Sequence, residues 1–193
     1  MPLDVVVLGP PGAGKGTQAK LIEADRGIPQ IATGDVLRAA MAAGTDLGLR
    51  VKEIVDRGDL VPDDLMIEII RERLSGDGTA GGFVLDGFPR TLAQAEALDA
   101  MLAELGRRLS LVFEFHVPEN VAVERLLGRA CKEGRTDDTP QVIRNRLDVF
   151  RRQTEPVLEH YRVQGILVAI HAERSVDEVT AEVQQALEAA ESR

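Results

Sequence analysis

A single cysteine, Cys131, stands in 193 residues. That excludes an intrachain disulfide, leaves no cysteine-rich zinc site to build, and fits a reducing compartment. Positive charge is also in deficit: 32 acidic against 23 basic residues give a formal net charge of −9, which argues against a general binder of nucleic acid or of membrane surfaces. No apolar run approaches membrane-spanning length, and the opening MPLDVVVLG has neither a basic-then-apolar leader nor a cleavage site. A soluble cytoplasmic protein is expected. His116, His160 and His171 lie in unrelated segments and form no cluster, so packing or surface roles are expected for each. Repeats and low-complexity segments are absent as well.

What is present suits one sizeable core, with 44% hydrophobic residues. The basic residues are chosen unevenly. Four are Lys, so 23 − 4 = 19 are Arg, whose planar fork matches phosphate oxygens two at a time. A GC-rich coding sequence would produce the same bias.

Short β-branched runs at 3–9, 29–32, 82–86, 109–117 and 165–170 are mostly continuous rather than alternating, as expected for strands covered on both faces. Amphipathic stretches separate them. In the last, Ser175 and Glu178 make a capping box, with Val176, Val179, Val183 and Leu187 on one face. Val61-Pro62 and Thr139-Pro140 read as helix entries with proline at the first helical position. Strands separated by helices imply an α/β protein, a mostly parallel sheet with helices on both sides. Two segments break the rhythm: about fifty residues between the second and third strands, with helical patterns near 35–43, 47–57 and 62–75, and the polar stretch GRACKEGRTDDTP at 128–140.

The first strand runs into LGPPGAGKGTQAK, Leu8 to Lys20. Gly9 and Gly14 bracket four residues and Lys15 follows, between a predicted strand and a predicted helix, the context a phosphate-binding loop requires. Glycines let successive N–H groups point into one hollow, and the helix dipole adds to the field there. Lys15 then extends along a polyphosphate. Gly16 stands where the general motif has Ser or Thr, and the hydroxyl comes one place later, at Thr17.

GPPGAGKGTQA (9–19), ATGDVLR (32–38), LVPDDL (60–65), VLDGFPRTLAQAE (84–96) and GRTDD (134–138) occur in this order and together resemble the adenylate kinases. The Gly16-Thr17 pair is the form that family uses. The resemblance implies a P-loop NTPase-type five-stranded parallel sheet as a core of 1–31, 62–127 and 139–193, with a nucleoside-monophosphate-binding insert at 32–61 and a short lid at 128–138. It implies magnesium with ATP, the reaction ATP + AMP ⇌ 2 ADP, and a monomer, with no structural zinc. Phosphoryl transfer needs two anionic nucleotides placed in line, their repulsion screened and water excluded, so arginines at separate sites are expected.

By the same resemblance Gly12, Ala13, Gly14, Lys15, Gly16 and Thr17 hold ATP phosphates. Arg38 and Arg90 hold the AMP phosphate, while Arg125, Arg129, Arg135 and Arg146 converge on the transferring group, with Arg135 and Arg146 also reaching AMP. Thr33, Gly34, Asp59, Leu60, Val61, Gly87, Phe88, Pro89 and Gln94 complete the AMP site, and backbone about Glu173 and Arg174 lies beside the ATP adenine. Asp86 acts on magnesium through water or caps the following turn. Asp137 and Asp138 orient lid arginines or belong to a plain solvated loop, and Cys131 is a small lid residue. Pyrimidine-nucleotide kinases share several of these motifs, so a UMP/CMP kinase is one alternative and a regulatory nucleotide-binding module another. Thr33 and Gln94 are the residues that favour AMP, the Gln94 amide being able to pair with the adenine edge. A GTPase is disfavoured because no NKxD motif occurs.

Overall fold

Val5, Val6 and Val7 are completely buried, and successive side chains leave the strand on opposite faces, so each face needs its own cover. The computed structural model, which describes residues 2–133 and 138–192, supplies both. Arg135 and Asp137 fall outside the described residues. Five strands, β1 (Leu3–Leu8), β2 (Gln30–Ala32), β3 (Gly82–Asp86), β4 (Leu111–His116) and β5 (Leu167–His171), form one sheet in the order β2-β3-β1-β4-β5. All four pairings are parallel, with Val5 opposite both Val84 and Leu111.

On one face Val6, Leu8, Phe83, Leu85 and Val112 pack with α4 (Asp63–Leu74), α5 (Leu92–Glu104) and α8 (Glu155–Val163), through Met66, Ile70, Leu98, Leu102, Val157 and Tyr161. On the other, Val5, Val7, Val84, Phe113 and Phe115 pack with α1 (Lys15–Arg26) and α9 (Val176–Glu191), through Ala19, Ile22, Val179, Val183 and Leu187. Burial of each such side chain contributes about 2 kcal/mol. Near the amino end of β1, away from the strand tips that carry the motifs, buried Asp4 receives a two-pronged guanidinium from Arg107, which also lies 5.3 Å from the centre of the Phe83 ring. Burial pushes the Asp4 carboxyl up and Arg107 opposes it, so the pair satisfies a buried charge rather than adding much stability.

Between β2 and β3 the chain makes α2 (Thr33–Ala42), α3 (Asp46–Arg57) and α4, as the three helical patterns indicate. Several expectations shift. Pro62 is the residue before α4 rather than its first, and Asp63 and Asp64 occupy the first turn, where carboxylates suit the helix dipole. Val176 is 53% exposed, so the buried stripe of α9 begins at Val179. The Ser175–Glu178 capping box is formed, and Thr139 caps α7 (Pro140–Val149) by accepting from Val142 N–H, with Pro140 first in the helix. Gly165 belongs to the turn closing α8, its N–H on the Arg162 carbonyl, so β5 starts only at Leu167. α6 (Glu119–Glu133) runs well into the stretch expected as a lid, since the Arg, Ala, Lys and Glu after Gly128 are good helix formers. Among the described residues no helix is long and apolar enough to cross a membrane, and no group of three or more metal-ligating side chains gathers.

Candidate active site

The carboxyl ends of β1, β2 and β3 open into one cleft of about 990 Å³, where ligands bind in open α/β sheets. At its centre the loop after β1 turns into α1, with Gly14 left-handed before Lys15. Gly12 shows why the loop is glycine-rich: its φ is +83°, and an added Cβ would stand 2.4 Å from the Ala122 carbonyl oxygen of α6. Lys15 folds back over the hollow, its Nζ donating to the Gly9 and Pro10 carbonyls at 2.8 Å each. Burial brings the ammonium down to about 8; the Asp86 carboxylate works against that, and Arg90 and Arg129 add to it. Lys15 therefore sits among charges of both signs, poised to gain an anion.

Asp86 ends β3 on the far side of the loop. One carboxylate oxygen lies 3.2 Å from where a Gly16 Cβ would be, so a Ser or Thr at 16 would press on it, while Thr17 carries its hydroxyl into the same cleft one position later. One oxygen of the carboxylate thus faces the phosphate loop. Hard oxygen donors, one carboxylate and one hydroxyl, fit a magnesium ion that keeps most of its waters and takes further oxygens from phosphates.

Across the cleft a second set assembles. Thr33 opens α2 and its hydroxyl donates to the Asp86 carbonyl at 3.3 Å. Arg38, one turn on, pairs with Asp35 and lies over Gly34, its guanidinium 3.1 Å from an added Cβ there. Gly87 has φ +87°, and a Cβ would stand 2.5 Å from the Thr33 hydroxyl and 3.0 Å from the Arg90 guanidinium. Phe88 is buried, joined to Pro89 by a cis peptide, and Arg90 turns its Nε back to the Gly87 carbonyl at 2.8 Å. The Arg90 backbone is clamped on both sides: its N–H donates to Gln94 Oε1 at 2.7 Å, and its carbonyl accepts from the Thr154 hydroxyl at 2.9 Å. Thr154 ends a π-helical turn, Phe150–Thr154, between α7 and α8.

Asp59, Leu60 and Val61 line the cleft where the chain leaves α3. Asn145 of α7 donates to the Asp59 carboxylate at 2.8 Å and to the Arg57 carbonyl at 2.9 Å, and with Arg57 it holds the Asp59 carboxyl below its ordinary range. Arg129 of α6 and Arg146 of α7 meet on Asp138. Its fully buried carboxylate receives Arg129 through two bonds, 2.8 and 2.9 Å, and Arg146 through one of 2.8 Å. Asp138 thus orients two cleft arginines and is not a solvated loop residue.

Arg125 and Arg174 line the cleft as well, each held near the end of β5. Arg125 turns its guanidinium to the Ala172 and Glu173 carbonyls at 2.7 and 3.4 Å, holding the loop after β5. Arg174 donates to the His171 carbonyl at 3.1 Å and pairs with Glu182, so it reaches the cleft from its rim. Sequence reasoning missed Asp63 and Asn145, which touch site residues from behind, and Thr154, which lines the cleft itself. It also missed Gln18, whose buried amide donates to the Val176 carbonyl at 3.3 Å and accepts from Thr180 at 3.2 Å. Gln18 and Asp63 lie within recognisable motifs; Asn145 and Thr154 are joined to the site by tertiary contacts alone.

Two anion-gathering ends facing each other across one cleft, with arginines held between them, belong to a P-loop nucleoside monophosphate kinase, a phosphotransferase. Comparison with known proteins names the branch. The family model for adenylate kinase matches residues 7–166. The chain is 52% identical to an adenylate kinase of Mycobacteroides abscessus, covering 95% of this chain and 98% of that one. It is 49% identical to an adenylate kinase of Phenylobacterium zucineum (96% and 97% covered) and 50% to one of Thermus thermophilus (95% and 96%). The chain belongs to the adenylate kinase family.

Proposed function

We propose that this adenylate kinase moves a phosphoryl group reversibly between ATP and AMP to give 2 ADP, as a cytoplasmic monomer that balances adenine nucleotides. The observation that carries this reading is the continuity of one cleft from the Lys15 loop to Thr33, Arg38, Arg90 and Gln94. In it, Gly12 to Thr17 cradle the ATP phosphates and Lys15 leaves its two carbonyl partners to follow the transferring group. Arg38 and Arg90 hold the acceptor phosphate, and Arg129 and Arg146, aligned by Asp138, close on the charge that spreads over the transferring oxygens. Thr17 and Asp86 would hold the magnesium that comes with ATP, which screens phosphate charge. Residues 32–61 serve as the acceptor-binding insert and 128–138 as the lid, whose closure excludes water. No side chain need act as a dedicated base.

A coupled ADP assay with MgATP and each monophosphate in turn tests this. AMP should be the preferred acceptor, with UMP and CMP at least about a hundredfold poorer in kcat/KM, because a site built on hydrogen bonds leaves them unpaired with the wrong base. ATP binding without transfer to any acceptor would instead mark a regulatory module, and preference for UMP or CMP a pyrimidine-nucleotide kinase.

Lys15 gives a pH signature. Its ammonium, at about 8 in the free protein, is charged at pH 7 and half neutral at pH 8, and a bound polyphosphate favours the charged form. ATP binding at pH 8 should therefore take up about half a proton, and affinity should fall as pH rises through 8. Titration calorimetry at pH 8 in two buffers of different ionisation heat measures the uptake, and Lys15→Arg should abolish it. Without ligand the depressed ammonium opposes folding below pH 8. That penalty fades between 8 and 10.5, so the stability linked to Lys15 rises over that interval.

A further inference from the structure

Gln94 is 2% exposed, and both ends of its amide are held from behind the cleft. Oε1 accepts the Arg90 backbone N–H at 2.7 Å, and Nε2 donates to the Asp63 carboxylate at 2.7 Å. Asp63 is the first residue of α4; Gln94 lines the cleft and Asp63 does not. A primary amide has two N–H donors and two lone pairs, so one donor and one acceptor remain for a ligand.

The two contacts also decide which way the amide points. Turned over, it would set NH₂ against the Arg90 N–H and Oε1 against the Asp63 carboxylate, donor on donor and acceptor on acceptor. An ionised carboxylate can only accept, so Asp63 admits one orientation alone. The outward donor and acceptor then keep fixed places. Adenine offers a donating 6-amino group beside an accepting ring nitrogen, whereas a 6-oxopurine puts an acceptor where that donor was. An amide free to turn over would serve either base.

We propose that Asp63 is a positioning residue that makes the acceptor site selective for 6-aminopurine over 6-oxopurine monophosphates by locking the Gln94 amide. This rests on the AMP-kinase reading above. A partner at 63 able both to donate and to accept should weaken the lock, leaving the Arg90 N–H alone to hold Oε1. In Asp63→Asn the IMP-to-AMP ratio of kcat/KM should rise about tenfold, through KM for the monophosphate, with KM for ATP unchanged. Asp63→Glu, again acceptor-only, should restore the wild-type ratio. Asp64→Asn removes the neighbouring first-turn carboxylate of α4 without touching Gln94, and it should leave the ratio alone.

A reading that needs no turnover is the side-chain amide signal of Gln94 in ¹⁵N-labelled, ligand-free protein. Its two Nε2 protons should be widely separated, one drawn downfield by the carboxylate, and the separation should shrink in Asp63→Asn. An unchanged ratio together with an unchanged amide signal would overturn the proposal, as would an equal rise in Asp64→Asn. A wild-type protein that phosphorylates no purine monophosphate would sink the parent reading instead, and the two failures are distinct.

Discussion

Lys15→Met should lower kcat for phosphoryl transfer by about three orders of magnitude, the scale on which a single cationic group contributes to this chemistry. Methionine is close in length and apolar stem, so the change removes the charge and its donors and leaves little cavity. In the free protein those donors rest on the Gly9 and Pro10 carbonyls; Gly9 lines the cleft, where water can take the ammonium's place. The ammonium is also held well below its ordinary range by burial, so its charge is a cost to the folded state. Stability should accordingly hold or rise while activity collapses, the usual trade at a site organised for catalysis. Quenched-flow single turnover with MgATP and AMP, beside thermal melting, separates the two. Transfer within tenfold of wild type would remove Lys15 from the reaction.

The parts of this molecule legible in its sequence are those whose cause is local. β1 and β3 announce themselves as unbroken apolar runs because both faces are covered, and the loop after β1 because only glycine fits where Gly12 meets Ala122. The caps at Thr139 and Ser175 are read from side chains three residues from their partners. What escapes is whatever depends on contacts between distant segments. Nothing near Asp63 in sequence announces that it meets Gln94, thirty-one residues away, or near Asn145 that it meets Asp59, eighty-six away. The π-helical turn that delivers Thr154 to the Arg90 carbonyl has no composition of its own. Nor does a place one turn before Arg129 announce that Arg125 turns to the Ala172 and Glu173 carbonyls. A motif tells which side chains matter more reliably than it tells where an arginine points.

Arg90→Ala should cost about a thousandfold in kcat/KM for AMP while leaving KM for ATP near its wild-type value. The reason the loss can be assigned to the guanidinium is structural. Both clamps on this residue, Gln94 Oε1 on its N–H and the Thr154 hydroxyl on its carbonyl, are made to backbone and survive truncation of the side chain. The Thr33 hydroxyl and the base-facing amide should therefore stay where they are, while the Gly87 carbonyl exchanges the Arg90 Nε donor for water. Arg90 is exposed at the cleft, so melting temperature should move little. Arg90→Lys should recover only part of the loss, about tenfold, since a point charge replaces the fork but cannot present two parallel N–H groups to one phosphate. Initial rates over a range of AMP at saturating MgATP give the comparison. Wild-type kcat/KM in Arg90→Ala would mean that the acceptor phosphate lies elsewhere, with Arg38 on the facing helix the next residue to replace.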